Sequence, residues 1–188
     1  MAHDDLTLVS LAERRDLEDA LDRHNTGDWP EYMLHDPVAA EHWHHLHGEF
    51  ADWQLMLLDP MDRIVAAANS APLAWDGTDE GLPEGWDEQF RLSVEQHAAG
   101  VRPDALGAIQ IVVAPERRGD RLSGRMVDVL RARARDAGLR ALIACVRPTG
   151  KHRCPLADID RYATALAGHD RAGLSCPMAD RGHAARVS

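Results

Sequence analysis

The sequence predicts an α/β fold in which helices flank a central, mixed β-sheet. The chain has 188 residues, of which 45% are hydrophobic and 28% charged, as expected for one folded domain. Short apolar runs alternate with segments of helical period, and residues 105–147 read strand, helix, strand, which is a βαβ unit at the centre of the sheet. We expect residues 5–167 to form a single domain and residues 168–188 a disordered tail.

The N-terminal part supplies a strand and two helices. Residues 6–11 read as a strand. The leucines of residues 16–24 fall on one helical face, and this helix should end before Asn25. A second helix is predicted at 36–48, where an Asp-Pro pair offers an N-cap and a first helical residue.

The middle of the chain predicts a hairpin, a long loop and a helix. Residues 53–58 and 63–68 are two apolar runs around a proline-containing turn, which is the pattern of a β-hairpin. Residues 76–85 are polar, with three glycines and four acids, and are long enough for a binding loop. A helix is expected at 86–99, closed by Gly100.

The βαβ unit carries the clearest signals. Residues 106–113 form the most apolar strand, residues 121–137 the strongest helix, and residues 139–146 a near-continuous apolar run typical of a buried parallel strand. A weaker pattern predicts a final helix at 155–167. From residue 169 onward no strand pattern or apolar period is visible.

Charge is divided unevenly along the chain. The net charge of −10 combines a net of −17 for residues 1–100, which carry 22 acids and 5 arginines, with +7 for residues 101–188. This asymmetry predicts one anionic and one cationic partner, unless both halves are simply solvated.

The cysteine pattern and the hydropathy of the sequence predict where in the cell the protein is located. The three cysteines, Cys145, Cys154 and Cys176, form no CxxC pair, which favours reduced thiols and a cytoplasmic protein. No apolar window reaches the length of a membrane span, so we expect no membrane partner.

The loop 114–124, between the apolar strand and its helix, predicts an anion site. Its sequence, APERRGDRLSG, delivers backbone N–H groups at a helix N-terminus, and its arginines add positive charge. A phosphate or pyrophosphate is the natural ligand. A P-loop motif does not fit around Gly150-Lys151 either. Cys145 stands where that motif has its first glycine, and His152 stands where it has the Ser or Thr that binds magnesium. A dinucleotide fingerprint lacks its second glycine.

The stretch Ile111–Val127 resembles the GNAT superfamily of N-acetyltransferases, whose acetyl-CoA loop follows the pattern [QR]xxGx[GA]. The order of elements over residues 6–147 is similar as well. The resemblance implies a GNAT-like fold, acetyl-CoA as co-substrate, no metal, and transfer of the acetyl group to a small or peptidic amine by direct attack on the thioester. The residues that it places against acetyl-CoA are Val112, Val113, Ala114, Arg118, Gly119, Asp120, Arg121, Leu122, Ser123 and Gly124.

Three departures from the family pattern affect this expectation. Arg121 stands where the motif has glycine, and Ser123 where it has glycine or alanine. If the loop needs a positive φ at Arg121, the strain is about 1–2 kcal/mol. The two strands that usually end the fold are not visible, so the acceptor wall is missing, is supplied by a homodimer partner, or is built from other parts.

The family reaction also needs an acid and a base. Tyr162, in the predicted last helix, is the candidate acid, although packing on the sheet explains it equally well. The position of the usual carboxylate on the central strand is Gln110, so the base is open, with Glu31 and His97 as candidates.

Aromatic and histidine residues have ordinary alternatives to a functional role. Trp29, Trp75 and Trp86 flank acidic loops and could stack on a cationic amine, but structural anchoring is favoured. The histidines between 35 and 47 do not gather three ligands on one helical face, so a solvated, pH-responsive helix is favoured over a zinc site. Two other classes of function stay open. One is a catalytically silent GNAT-like CoA-binding or protein-interaction module. The other is nucleic-acid binding, but acids interrupt the arginines of 121–140 and the net charge is acidic, so no nucleic-acid partner is expected.

Overall fold

The structure, a computed structural model, describes residues 5–27 and 34–146 and the backbone of residues 185–186. They form a six-stranded sheet in the order β1-β2-β3-β4-β5-β6. The strands are β1 (Thr7–Ser10), β2 (Leu55–Leu58), β3 (Ile64–Leu73), β4 (Ala105–Val113), β5 (Ala141–Ala144) and β6 (Ala185–Arg186). The helices are α1 (Glu18–Thr26), α2 (Pro37–His47), α3 (Trp86–Ala98) and α4 (Leu122–Asp136).

The sheet is mixed, because β4 and β5 are parallel while the other neighbouring strands are antiparallel. The crossover between β4 and β5 is α4, as the predicted βαβ unit requires. The predicted mixed sheet with flanking helices is therefore confirmed, with β4 in its interior.

Helices cover both faces of the sheet. On one face α4 packs Leu122, Met126 and Leu130 against apolar side chains of β2 to β5, and all three are almost fully buried. On the other face Leu21 of α1 packs over β2 and β3. Phe90 of α3 lies in a further cluster on this second face with residues of α2, β3 and β4. The central strands thus have no face open to solvent over most of their length.

Helices α2 and α3 lie side by side and run in the same direction. Phe90, early in α3, packs edge-on against Trp43 of α2 with ring centroids 6.3 Å apart. His97, near the end of α3, packs against Phe50, which follows α2, at 5.1 Å. The N-terminal ends of the two helices are consequently neighbours, and Asp36 caps α2 there by accepting a hydrogen bond from the N–H of Ala39 (2.8 Å).

Several boundaries differ from the sequence prediction. Helix α1 continues past Asn25 to Thr26, and Asn25 is fully buried against the sheet layer instead of ending the helix. Strand β3 extends to Leu73, well beyond the expected end at residue 68, because a long ladder to β4 holds it. None of the helices in the described ranges is long and apolar enough to cross a lipid bilayer.

The C-terminal predictions are only partly covered. Ala185–Arg186 pairs with β5, although the sequence shows no strand pattern there. Two residues are too few for an alternation to appear, so the prediction of no strand was wrong for this pair. The helix predicted at 155–167 and the rest of the predicted tail at 168–188 lie outside the described residues.

Candidate active site

The central strand β4 loses its parallel neighbour halfway along its length. Pairing with β5 runs from Ala105 to Ala108 and does not continue in the described residues. A register shift opposite Asn69 and Ser70 leaves Ile109 as an extra residue on β4, which is a β-bulge. Beyond the bulge no described strand pairs with this edge of β4, which leaves a gap between the described residues.

The hydrogen-bond parity of β4 shows which groups face this gap. The N–H of Ala114 donates to the carbonyl of Val65 on β3 (3.0 Å). Because antiparallel pairs alternate between bonded and non-bonded, Val112 also points its backbone groups at β3, whereas Ile111 and Val113 point theirs at the opposite edge. The N–H groups of Ile111 and Val113 are thus directed into the gap.

The loop after β4 places a helix N-terminus at the end of this gap. Arg121 is the residue that precedes α4, and its side chain makes no capping hydrogen bond. The first turn of α4 contains no acidic residue, so the N–H groups of Leu122, Ser123 and Gly124 find no internal acceptor there. With the helix dipole, these donors favour an anion.

Two residues of the loop have a positive φ. Gly119 has φ +98° and Arg121 has φ +59° with ψ 20°, in the left-handed region. The φ of Arg121 is what the glycine of the family motif would accommodate without strain. A Cβ built on Gly119 or on Gly124 would meet nothing within 4 Å, so the loop leaves open space on its outer side.

A pocket of about 460 Å³ joins the open edge of β4 to the N-terminus of α4. Its lining consists of Gln110, Ile111, Val112, Val113, Arg117, Arg118, Gly119, Arg121, Leu122 and Ser123. Seven of the ten residues expected from the sequence to contact acetyl-CoA are in this lining.

The other three lie beside the pocket without lining it. Ala114 is buried and is held by its hydrogen bond to β3. Asp120 forms an ion pair with Arg117, with 2.7 Å between carboxylate oxygen and Nε. Gly124 is exposed in the first turn of α4. The rest of the lining consists of three residues that the sequence analysis did not place there, Gln110, Ile111 and Arg117. The continuation of β4 could have indicated the first two, and the run of basic residues the third.

The tryptophans that can be placed are structural. Trp86 donates its indole N–H to the carbonyl of Ile109 at the bulge (2.8 Å). Trp75 is buried and donates to the carbonyl of Thr78 (2.9 Å). These contacts agree with the interpretation of Trp75 and Trp86 as structural anchors. Trp29 lies outside the described residues.

Two of the four histidines of α2 pair with acids. His45 contacts Glu49 (2.7 Å), and His47 contacts Asp22 of α1 (3.2 Å). In the ranges that the structure describes, no group of three or more His, Cys, Asp or Glu side chains is arranged to hold a metal ion.

Of the candidate acid and bases, His97 lies within the described residues, and it does not line the pocket. Tyr162 and Glu31 lie outside the described residues. His97 lies in the last turn of α3, at the opposite end of that helix from Trp86 and the bulge. At about 1.5 Å per residue, the eleven residue steps from Trp86 put His97 roughly 16 Å away along the helix.

Comparisons with known proteins agree with this fold. No protein-family model matches the chain. It is 31% identical over 144 residues to the arginine N-acetyltransferase avaD of Aspergillus versicolor, an alignment that covers 71% of this chain and 49% of that protein. The chain thus spans about half the length of this curated relative.

Two solved structures illustrate the structural likeness. The GNAT-like decarboxylase GphF, in complex with isobutyryl-CoA, superposes with a TM-score of 0.60 at 18% identity, covering 92% of this chain and 80% of that one. The polyamine N-acetyltransferase of Drosophila melanogaster reaches a TM-score of 0.49 at 22% identity, covering 85% and 82%. The fold argument rests on the first of these.

The superposition on the GphF structure covers most of this chain, so the two proteins share a fold. The chain therefore has the GNAT fold, and its sequence is similar to that of the Aspergillus N-acetyltransferase.

Proposed function

We propose that the protein is an N-acetyltransferase that transfers the acetyl group of acetyl-CoA to an amine. The observation that carries the proposal is the pocket that connects the open edge of β4 with the N-terminus of α4. A long ligand with an anionic end and a neutral amide-bearing arm fits such a pocket, and CoA has this chemistry. The similarity to an arginine N-acetyltransferase supports the same reaction.

The pocket suggests a role for each part of its wall. The N–H groups at the start of α4 would bind the pyrophosphate, with the guanidinium groups of Arg118 and Arg121 at the rim. The neutral arm would lie along Ile111 to Val113, where backbone groups point into the gap. One of these N–H groups would polarise the thioester oxygen while an amine attacks the carbonyl carbon.

L-Arginine is the first acceptor to try, because the related Aspergillus protein is an arginine N-acetyltransferase. A cationic acceptor also agrees with the net charge of −17 over residues 1–100. The measurement is release of free thiol from acetyl-CoA in the presence of L-arginine and of a panel of simple amines. Absence of thiol release with every amine, together with tight acetyl-CoA binding, would favour a silent acyl-CoA-binding module instead.

Calorimetric titration with acetyl-CoA tests the binding site. Gly119→Asp should abolish binding, because it places a carboxylate against the phosphates and a side chain at φ +98°. Gly138→Asp is the matched control: Gly138 has φ +75°, a Cβ there meets nothing within 4 Å, and it follows α4 at the far end from the pocket. Binding that survives in Gly119→Asp would exclude this loop as the phosphate site.

Two further expectations concern the protein in the cell. We expect a cytoplasmic protein, which cell fractionation would test. A homodimer that completes the acceptor wall is likewise a prediction, and light scattering coupled to gel filtration would check it.

A further inference from the structure

The reaction proposed above needs a base, and the central strand does not supply one. An amine acceptor is largely an ammonium ion at neutral pH and must lose a proton before its nitrogen can attack. Strand β4 carries no carboxylate, and the residue that lines the pocket at its bulge is Gln110, whose amide does not titrate. A base must therefore come from another element close to the gap.

The first turn of α3 is fixed across the start of this gap. The indole of Trp86 donates to the carbonyl of Ile109 (2.8 Å), and the amide of Gln89 donates to the carbonyl of Ala108 (2.9 Å). The thiol of Cys145, just beyond the end of β5, contacts the Gln89 side-chain oxygen at 3.6 Å. These three contacts tie one helical turn to both strands where they separate.

Asp87 is in this turn, next to Trp86. On a helix it is rotated by about 100° from Trp86, which puts it at the flank of the buried face formed by Trp86, Gln89 and Phe90. Its side chain is exposed, and within the described part of the chain its carboxylate has no hydrogen bond or ion pair. Glu88, the next residue, contacts Arg91 (3.7 Å) and accepts a backbone hydrogen bond.

The surroundings of Asp87 favour proton uptake. Asp87 is accessible to solvent, but protein atoms around it displace part of the water from its carboxylate; this desolvation raises its pKa, and the carboxylate of Asp36 at the neighbouring N-terminus of α2 raises it further. Burial also raises the pKa of Cys145, with a smaller contribution from Asp87, so this thiol stays neutral at physiological pH. Among the described residues, the titratable groups that interact with Asp87 from packed elements are therefore Asp36 and Cys145, with Glu84 and Glu88 near it in the chain.

Gln110 gives an independent sign that a ligand belongs at this point. Its side-chain nitrogen is buried and has no hydrogen-bond partner in the described residues, although Gln110 lines the pocket. It pairs with Asn69, so both side chains project to the face that α2 and α3 cover. A buried donor without an acceptor costs about 1–3 kcal/mol, which a ligand oxygen would offset.

We propose that Asp87 is the general base of the acetyl transfer, a role that rests on the proposed function. Its carboxylate takes one proton from the acceptor ammonium, directly or through a water molecule. The freed nitrogen lone pair then forms a bond to the thioester carbon. When the tetrahedral intermediate collapses, the carbon–sulfur bond breaks and CoA leaves as thiolate, which receives the second nitrogen-bound proton. Asp87 finally releases its own proton to solvent.

The test compares Asp87→Asn with Glu88→Gln, which removes the adjacent carboxylate of the same turn. With L-arginine or the best amine of the panel, kcat of Asp87→Asn should fall by at least about 100-fold. Acetyl-CoA affinity should be unchanged in both variants, and Glu88→Gln should keep wild-type kcat. Asp87→Glu should recover part of the activity. An Asp87→Asn enzyme with wild-type kcat would overturn the assignment.

The pH profile separates a base from a structural residue. In the wild type, kcat should fall at acidic pH as Asp87 is protonated, and Asp87→Asn should lack this limb. Asp36→Asn keeps an N-cap oxygen but removes the neighbouring charge, so the limb should move to lower pH. An unchanged limb in Asp87→Asn would refute the proposal. If the wild type itself neither binds acetyl-CoA nor releases thiol, the proposed function fails instead.

Discussion

Arg121 offers a direct measurement of strain in the loop that we propose binds acetyl-CoA. It has φ +59° and directly precedes α4, at a position where the family motif has glycine. An L-residue in this conformation costs about 1–2 kcal/mol, whereas glycine loses an extra 0.4–1 kcal/mol, roughly, of chain entropy on folding. Arg121→Gly should therefore raise the free energy of unfolding by about 0.5–1 kcal/mol.

Arg121→Ala separates strain from loss of the side chain. Alanine removes the guanidinium but keeps the strain, and it is a poorer N-cap than glycine. We expect Arg121→Gly to be more stable than Arg121→Ala by about 1 kcal/mol, which is a difference of about 0.5 M in the urea midpoint for an m-value near 2 kcal/mol/M. Equal midpoints for the two variants would refute the strain argument.

Gly124 provides the control for this comparison. It lies in the first turn of α4 with an ordinary backbone conformation, and a Cβ there meets nothing within 4 Å. Alanine at this position should stabilise the protein by about 0.5–1 kcal/mol, because glycine is a poor helix former. Glycine should thus give the more stable protein at position 121, whereas alanine should give the more stable protein at position 124.

The same variants report on ligand binding. The side chain of Arg121 lines the pocket, and a charge-assisted hydrogen bond to phosphate is worth about 1.5–3 kcal/mol. Acetyl-CoA affinity should fall about 10-fold or more in both Arg121→Gly and Arg121→Ala, while Arg121→Lys should lose less. Tighter binding by Arg121→Gly would show that the arginine obstructs the phosphate.

Three other substitutions test the scaffold. Gln54→Leu should cost about 3 kcal/mol in urea unfolding, because the fully buried amide of Gln54 bonds Asn69 and three backbone groups; unchanged stability would contradict this. Trp86→Phe should cost about 2 kcal/mol by leaving the carbonyl of Ile109 without its donor, with the same assay. The backbone N–H and guanidinium of Arg63 hold the pKa of Asp59 below its usual range, so Asp59→Asn should destabilise the protein at neutral pH. As acid protonates Asp59 in the wild type, the urea midpoints of the variant and the wild type should approach each other. A difference between the midpoints that does not depend on pH would contradict the ion pair.

The βαβ unit was predictable because its signals are local. The apolar run of β4, the helical period of α4 and the second apolar run of β5 lie within about 40 residues, and each reads from its own sequence. The departure from the motif glycine at Arg121 marked a position where a positive φ, if the loop needed one, would cause strain, and the structure has φ +59° there. Seven of the ten residues that the family resemblance places against acetyl-CoA line the pocket, while their contact with acetyl-CoA stays a prediction.

The surroundings of the gap were not predictable, because they depend on contacts that leave no periodic trace. The bulge at Ile109 adds one residue to β4 and changes which later side chains share a face. The hydrogen bonds from Trp86 and Gln89 join side chains of α3 to strand carbonyls 23 and 19 residues away. Without them nothing in the sequence distinguishes Asp87 from the many other acids of the first hundred residues.

The division of charge along the chain also changes meaning in the folded protein. Arg133, one of the arginines behind the charge of +7, lies 3.7 Å from Asp52 of the acidic half. Because nearby opposite charges cancel within a Debye length, such arginines add little to the potential felt by a ligand. The attraction for an anion at the pocket therefore depends on the rim arginines and the α4 N-terminus, and the net charge of +7 overstates it.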